Sequence, residues 1–171
     1  MDITAAAYAA STLSFIVWAG AAKWYAIPWL RQHGRATALT ALLWIHALRY
    51  VALQIYSAQA AGFAVPDDIR DRIAYGDVFC AVLAFAAIVA LRHRRAVGTL
   101  LAWLLSAVGI VDLISATAGG IRADLFGKAA GVTWLILTFY VPLLWVSHVL
   151  IIWQLLSRGT GPLLPTKSIE H

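Results

Sequence analysis

Residues 131–156 read GVTWLILTFYVPLLWVSHVLIIWQLL, a stretch without a single Asp, Glu, Lys or Arg. A helix needs about 20 mainly apolar residues to cross the hydrocarbon core of a bilayer, so this segment is long enough to do so. The rest of the chain has the same character, because 62% of the 171 residues are hydrophobic and only 12% are charged. A water-soluble domain carries about 25% charged residues. The composition therefore predicts an all-α integral membrane protein.

Four more apolar stretches precede this segment, separated by short breaks that contain charged residues, Gly or Pro. The predicted spans are Thr4–Ala22, Ala36–Ala60, Ile73–Leu91, Ala96–Ala118 and Gly131–Leu156. Since they leave little chain outside the bilayer, we predict one domain, residues 1–158, folded as a bundle of five transmembrane helices. Residues 159–171 contain Gly161, Pro162 and Pro165 and are predicted to form a flexible cytoplasmic tail.

The basic residues are distributed unevenly between the breaks. Of the 13 Lys and Arg residues, eight lie near the first and third breaks or in the tail, four lie in the other two loops, and Arg49 lies within a span. Cytoplasmic loops collect Lys and Arg, which predicts an outside N-terminus and a cytoplasmic C-terminus. This bias also accounts for the net charge of +5. We expect a multi-pass protein of a bacterial plasma (inner) membrane, able to oligomerise and with no nucleic-acid partner.

Ionisable side chains within the spans are the unusual feature of this sequence. They are His46, Arg49, Asp77, Asp112 and His148. A charge near the middle of a bilayer costs about 2.5–3.5 kcal/mol on insertion scales, so each charged residue needs a partner, water or a function. At about 1.5 Å of rise per residue, the predicted threading brings Arg49, Asp77 and Asp112 together in the outer half of the bundle.

Two interpretations of this group remain open. In the first, Arg49 pairs with one or both carboxylates and only holds three helices in register. In the second, the group lines a polar pocket that opens to the outer face and receives a ligand or a proton. The predicted ligand-binding or proton-carrying residues are Arg49, Asp77, Asp112, Tyr50, Thr138 and Tyr140.

Helical spacing assigns a face to several of these residues. In an α-helix, residues three and four apart share a side, which places His46, Arg49, Tyr50, Leu53 and Ser57 on one side of the second span. Pro142 has no N–H to donate, so it is predicted to kink the last span and to free the carbonyl of Thr138.

A haem b group is an alternative cofactor, with His46 and His148 as axial ligands on two helices. Against it, helical rise places the two residues several ångströms apart in depth, whereas axial ligands lie nearly level. Hydrogen bonding of each His within a packed bundle is the simpler explanation.

The sequence gives little support to an enzyme. It contains no Gly-x-Ser-x-Gly, Walker loop or dinucleotide fingerprint, and no local metal-ligand spacing such as His-Glu-x-x-His. No catalytic residue and no metal site are predicted. The leading hypothesis is a non-enzymatic membrane protein that binds or transports a small amphipathic molecule or ion. A membrane scaffold or accessory subunit of a larger complex is the second alternative.

Overall fold

The computed structural model describes residues 2–157, which are helical throughout apart from short turns and contain no strand. Five helices in this range are long and apolar enough to cross a membrane: α1 Ile3–Gln32, α2 Arg35–Ala60, α3 Asp67–His93, α4 Arg95–Arg122 and α5 Gly131–Leu156. The prediction of an all-helical chain with five helices apolar enough to span a membrane is confirmed for the described residues. The predicted tail, residues 159–171, lies outside the described residues.

Two of the helices extend well beyond the apolar stretches seen in the sequence. Helix α3 begins at Asp67 rather than Ile73, because Pro66 ends the preceding loop and two acidic residues occupy the first turn. Acidic side chains near a helix N-terminus interact favourably with its dipole. Helix α1 continues to Gln32, past Pro28. In these two helices the apolar pattern therefore marks only part of the helix, whereas the predicted and observed bounds of α5 coincide.

Three of the long helices, α1, α2 and α5, each contain a segment that is not α-helical; the one in α2 is described with the site below. In α1 and α5 the segments Ala22–Ala26 and Ile136–Tyr140 are π-helical. Each ends two residues before a proline, Pro28 or Pro142. A proline cannot donate to the carbonyl four residues earlier and its ring crowds that carbonyl. The wider π turn accommodates the proline while the helix continues.

The bundle has two ends that differ in composition. We call the end that carries the α1–α2 and α3–α4 turns the basic end, because Arg31, Arg35, Arg92, Arg94 and Arg95 lie there. The opposite end carries the α2–α3 loop and the α4–α5 connection, and we call it the cavity end. A short helix, Leu125–Lys128, lies in that second connection.

Helices α2 to α5 form the core, and α1 packs on its periphery. In the most apolar part of α1 only 6% of the residues are buried, against 33–39% in the other four helices. The contacts of α1 are mainly with α5 and the short helix. The indole N–H of Trp18 donates to the carbonyl of Phe139 at 3.2 Å. Leu, Ile and Ala side chains of α2 to α5 fill the interior at the basic end.

Candidate functional site

Arg49 is the centre of a buried ionic cluster that joins three helices. Arg49 is only 1% exposed to solvent. Its Nε donates to Oδ1 of Asp77 on α3 at 2.6 Å, and its Nη2 donates to Oδ2 of Asp112 on α4. A buried charge is tolerated when it is paired and hydrogen-bonded, and the planar guanidinium serves both carboxylates at once. The structure therefore brings together the three residues that the threading grouped.

Two glycines allow this cluster to form. A β-carbon at Gly76 on α3 would collide with the carboxylate of Asp112. At Gly109 on α4 it would lie 2.7 Å from Cε1 of His148 and 3.2 Å from Nη1 of Arg49. The absence of both side chains lets the charged groups approach the helix backbones closely. Gly76 was not among the predicted residues, although its position next to Asp77 in the sequence is a signal.

The segment of α2 around Arg49 is a 3₁₀ helix, Leu48–Leu53. Residues three apart eclipse one another in this conformation, and runs longer than three or four residues are uncommon. The buried face of α2 accordingly repeats every third residue through Arg49, Ala52 and Ile55. Tyr50 is 53% exposed instead and does not line the cavity described below. The structure thus places Tyr50 away from the cavity wall, because the 3₁₀ segment departs from the α-helical spacing on which its prediction rested.

The two predicted hydrogen-bonding residues of α5 are already occupied. The Thr138 hydroxyl donates to the carbonyl of Trp134 in its own helix at 2.8 Å. The Tyr140 hydroxyl donates to the carbonyl of Ile45 at 2.6 Å, which ties α5 to α2. Thr138 does not line the cavity, so the structure does not place it in the site; Tyr140 contributes its ring to the cavity wall.

His46 and His148 lie in direct contact with each other, beside the Arg49 cluster. Their ring centroids are 4.1 Å apart with a tilt of 53°, and Nε2 of His46 is 2.9 Å from the Ser147 hydroxyl. Any difference in depth between the two rings is therefore at most the 4.1 Å that separates their centroids. A second contact joins α2 and α5 at the basic end, where Nη2 of Arg35 donates to the carbonyl of Leu155 at 2.6 Å.

This contact contradicts the haem alternative. Axial imidazoles bind opposite faces of the iron, so a whole porphyrin plane separates their rings. Two rings that touch leave no room for that plane. His46 and His148 are therefore not placed as a pair of axial haem ligands.

A cavity of about 160 Å³ lies at the cavity end, next to the cluster. Arg49 and Asp77 are the two charged residues that line it within the described chain. Most of the remaining wall is apolar or aromatic and includes Phe15, Leu113 and Trp145. Gln54 and Thr133 add a neutral polar pair, with Nε2 of Gln54 donating to the Thr133 hydroxyl at 3.1 Å. Neither residue was predicted, because Gln54 and Thr133 are neutral and carry no burial cost comparable to that of the ionisable residues.

The short helix Leu125–Lys128 covers one side of the cavity, to which Leu125 and Phe126 contribute. The ring of Phe126 stacks on Tyr8 of α1 with centroids 4.8 Å apart. Asp124, just before the short helix, adopts a left-handed conformation with φ 53°, which Asp tolerates better than most residues. This turn folds the α4–α5 connection back over the bundle.

The fold and the cluster define a class: a five-helix bundle of membrane-spanning dimensions with a buried Arg–carboxylate site beside a small cavity. The chain belongs to the family described as Domain of unknown function (DUF8737), whose model matches residues 7–156. That match includes the whole cluster and nearly all of the five helices. No curated protein and no solved structure matches the chain.

Proposed function

We propose that this chain is a multi-pass protein of a bacterial plasma membrane that binds a small amphipathic molecule in the cavity beside Arg49 and Asp77. The single observation that carries the proposal is a cavity that joins an apolar wall to a buried charged pair. Ligand sites typically combine apolar walls with a few polar groups that fix orientation.

The volume of the cavity limits the ligand to a small molecule. An engineered apolar cavity of about 150 Å³ in another protein holds benzene, so a ligand with a single aromatic ring or a similar apolar body fits. Its apolar part would lie among side chains such as Phe15 and Leu113, and its polar end would meet Arg49 or Asp77. Gln54 and Thr133 offer a second, neutral contact.

Binding is a better proposal than transport or scaffolding. A conduit across the bundle would need space towards the basic end, where Leu39, Leu43, Leu105 and Ile151 are fully buried and pack together. A scaffold needs no internal cavity. The cavity beside Arg49 supports the binding proposal over both.

The proposed orientation places the basic end in the cytoplasm and the cavity end outside. The turns at the basic end are rich in Arg, whereas acidic residues such as Asp67, Asp68 and Asp124 lie at the cavity end. Positive-inside bias supports this arrangement.

Single cysteines at exposed positions test the orientation, in a variant whose Cys80 is replaced by Ser. A membrane-impermeant maleimide should label Ala61→Cys in intact cells and His33→Cys only after permeabilisation. The reverse pattern would invert the orientation.

A cavity-filling substitution tests the binding proposal itself. Ala116 of α4 lines the cavity, so Ala116→Leu should weaken the binding of benzyl alcohol to the detergent-purified protein by at least about tenfold, a free-energy change of about 1.4 kcal/mol. Ala107→Leu, on the exposed side of the same helix, is the matched control and should bind as the parent protein does. Calorimetric titration measures both. Equal binding by all three proteins would overturn the proposal, because the probe would then enter only the detergent.

A further inference from the structure

The charge balance of the cluster points to a particular class of ligand. We infer that the cavity selects a small organic cation, a protonated amine with an apolar body; this inference rests on the proposed binding function. Arg49 carries one positive charge, whereas Asp77 and Asp112, both paired with it, carry two negative charges when ionised. A buried site of this kind has an excess of one negative charge, which a bound cation would neutralise.

The position of Asp77 makes that excess available to a ligand. Oδ1 of Asp77 accepts from Arg49, and its second oxygen receives no hydrogen bond from the described residues. The side chain retains 14% exposure and lines the cavity. Asp112 pairs with Arg49 but lies outside the cavity wall. The second oxygen of Asp77 is thus the natural acceptor for an ammonium N–H, and such charge-assisted hydrogen bonds are the strong ones.

An anionic ligand meets a less favourable site. Nε and Nη2 of Arg49 are already engaged with the two carboxylates. The remaining nitrogen, Nη1, lies towards Gly109 and the ring of His148. Nη1 is buried and has no hydrogen-bond partner among the described residues, so an anion that reached it would still lie beside two carboxylates already paired with the same guanidinium.

The aromatic wall of the cavity is a second, independent feature that suits a cation. The aromatic residues Phe15, Phe126, Tyr140 and Trp145 all line it. Aromatic faces attract ammonium groups, most strongly when the site is shielded from water, and aromatic cages are a recurrent means of binding organic cations. The same rings also accommodate the apolar body of the ligand, so one wall serves both parts of an amphipathic amine.

Three probes of nearly equal size and different charge test the inference at neutral pH: benzylammonium, benzyl alcohol and benzoate. Calorimetric titration of the detergent-purified full chain should show benzylammonium binding at least about tenfold more tightly than benzyl alcohol. Benzoate should bind more weakly than either. Asp77→Asn removes the excess charge while keeping the shape of the side chain. Benzylammonium and benzyl alcohol should then bind within about threefold of each other. Asp124→Asn, at an exposed position outside the cavity wall, is the control and should retain the preference.

The outcomes separate this inference from the proposed function. If benzyl alcohol binds and Ala116→Leu weakens it, but benzylammonium binds no more tightly, the site takes a neutral ligand and the inference fails alone. Tightest binding of benzoate would also overturn it, because Arg49 would then dominate. The circular-dichroism spectrum and gel-filtration profile of the parent protein, retained by Asp77→Asn, show that this variant is folded. If it does not fold, Asp112→Asn removes the same charge outside the cavity wall and should likewise abolish the preference.

Discussion

The two ends of the bundle are built differently, although the same four helices form the interior of both. At the basic end, α2 to α5 are regular and their buried side chains are mostly Leu, Ile and Ala. At the cavity end the interior contains the Arg49 cluster, a 3₁₀ segment in α2, a π segment in α5 and a cavity. Irregular helical turns are frequent at functional sites. The core helices α2 to α5 therefore depart from ideal geometry where the buried charges lie.

The two π segments that precede a proline differ in the same way. The one before Pro28 lies on the peripheral helix α1 and exposes Lys23, Trp24 and Tyr25. The one before Pro142 lies in the core and contributes Ile136, Leu137 and Tyr140 to the cavity. In both helices the local cause of the π segment is the proline that follows it. The surroundings decide whether such a turn only accommodates a proline or also shapes a site.

Removal of the central cation should have the largest effect. Arg49→Met leaves Asp77 and Asp112 close together without a counter-charge. Breaking a buried ion pair by removing one partner costs about 3–5 kcal/mol, and we expect the free energy of unfolding in detergent to fall by that amount. The triple variant with Asp77→Asn and Asp112→Asn should recover most of the loss, because no buried charge remains. A single variant as stable as the parent protein would show that the carboxylates are well solvated, and that the cavity end is not a buried ionic site.

Two leucines of α4 compare the ends directly. Leu105 lies fully buried in the apolar interior, whereas Leu113 lines the cavity. Leu105→Ala should lower the free energy of unfolding by about 2 kcal/mol, the lower end of the range for buried Leu→Ala changes, because lipid provides little hydrophobic driving force. It should leave binding of benzyl alcohol unchanged. Leu113→Ala should destabilise less and should admit a larger naphthyl alcohol. Chemical unfolding and calorimetric titration measure the pair; equal effects on binding would mean that the ends are not independent.

Two glycines of α4 provide the smallest expected contrast. A methyl group at Gly109 would press against His148 and Arg49, whereas at Gly119 its nearest neighbour would be Cγ2 of Ile69 at 3.6 Å, an ordinary contact. Gly109→Ala should therefore destabilise by about 1–3 kcal/mol, as overpacking does. Gly119→Ala should be neutral or stabilise by up to about 1 kcal/mol, because alanine favours a helix more than glycine does. Thermal unfolding of both variants in detergent checks the contrast, and a neutral Gly109→Ala would show that His148 moves away at little cost.

Much of the cluster could be predicted from the sequence, and the physical reason is the cost of burying charge. Arg49, Asp77 and Asp112 fall within apolar spans, and threading with helical rise brings them to one level. Their pairing is then the natural arrangement. Tyr50 could not be placed correctly, because the 3₁₀ segment rotates it away from the face that α-helical spacing assigns. Gly76 was overlooked because a glycine has no chemistry of its own and its importance depends on Asp112, which approaches from another helix.

The sequence by itself determined the number of apolar helices, their approximate extents and the presence of costly charges among them, because hydropathy and helical length are local properties of the chain. Only the tertiary structure decided that the His46 and His148 rings touch, that the short helix covers a cavity, and that Asp77 rather than Asp112 lines it. These features depend on how helices far apart in the sequence pack against one another. Differences of a few ångströms in that packing determine which side chains meet and which leave a space.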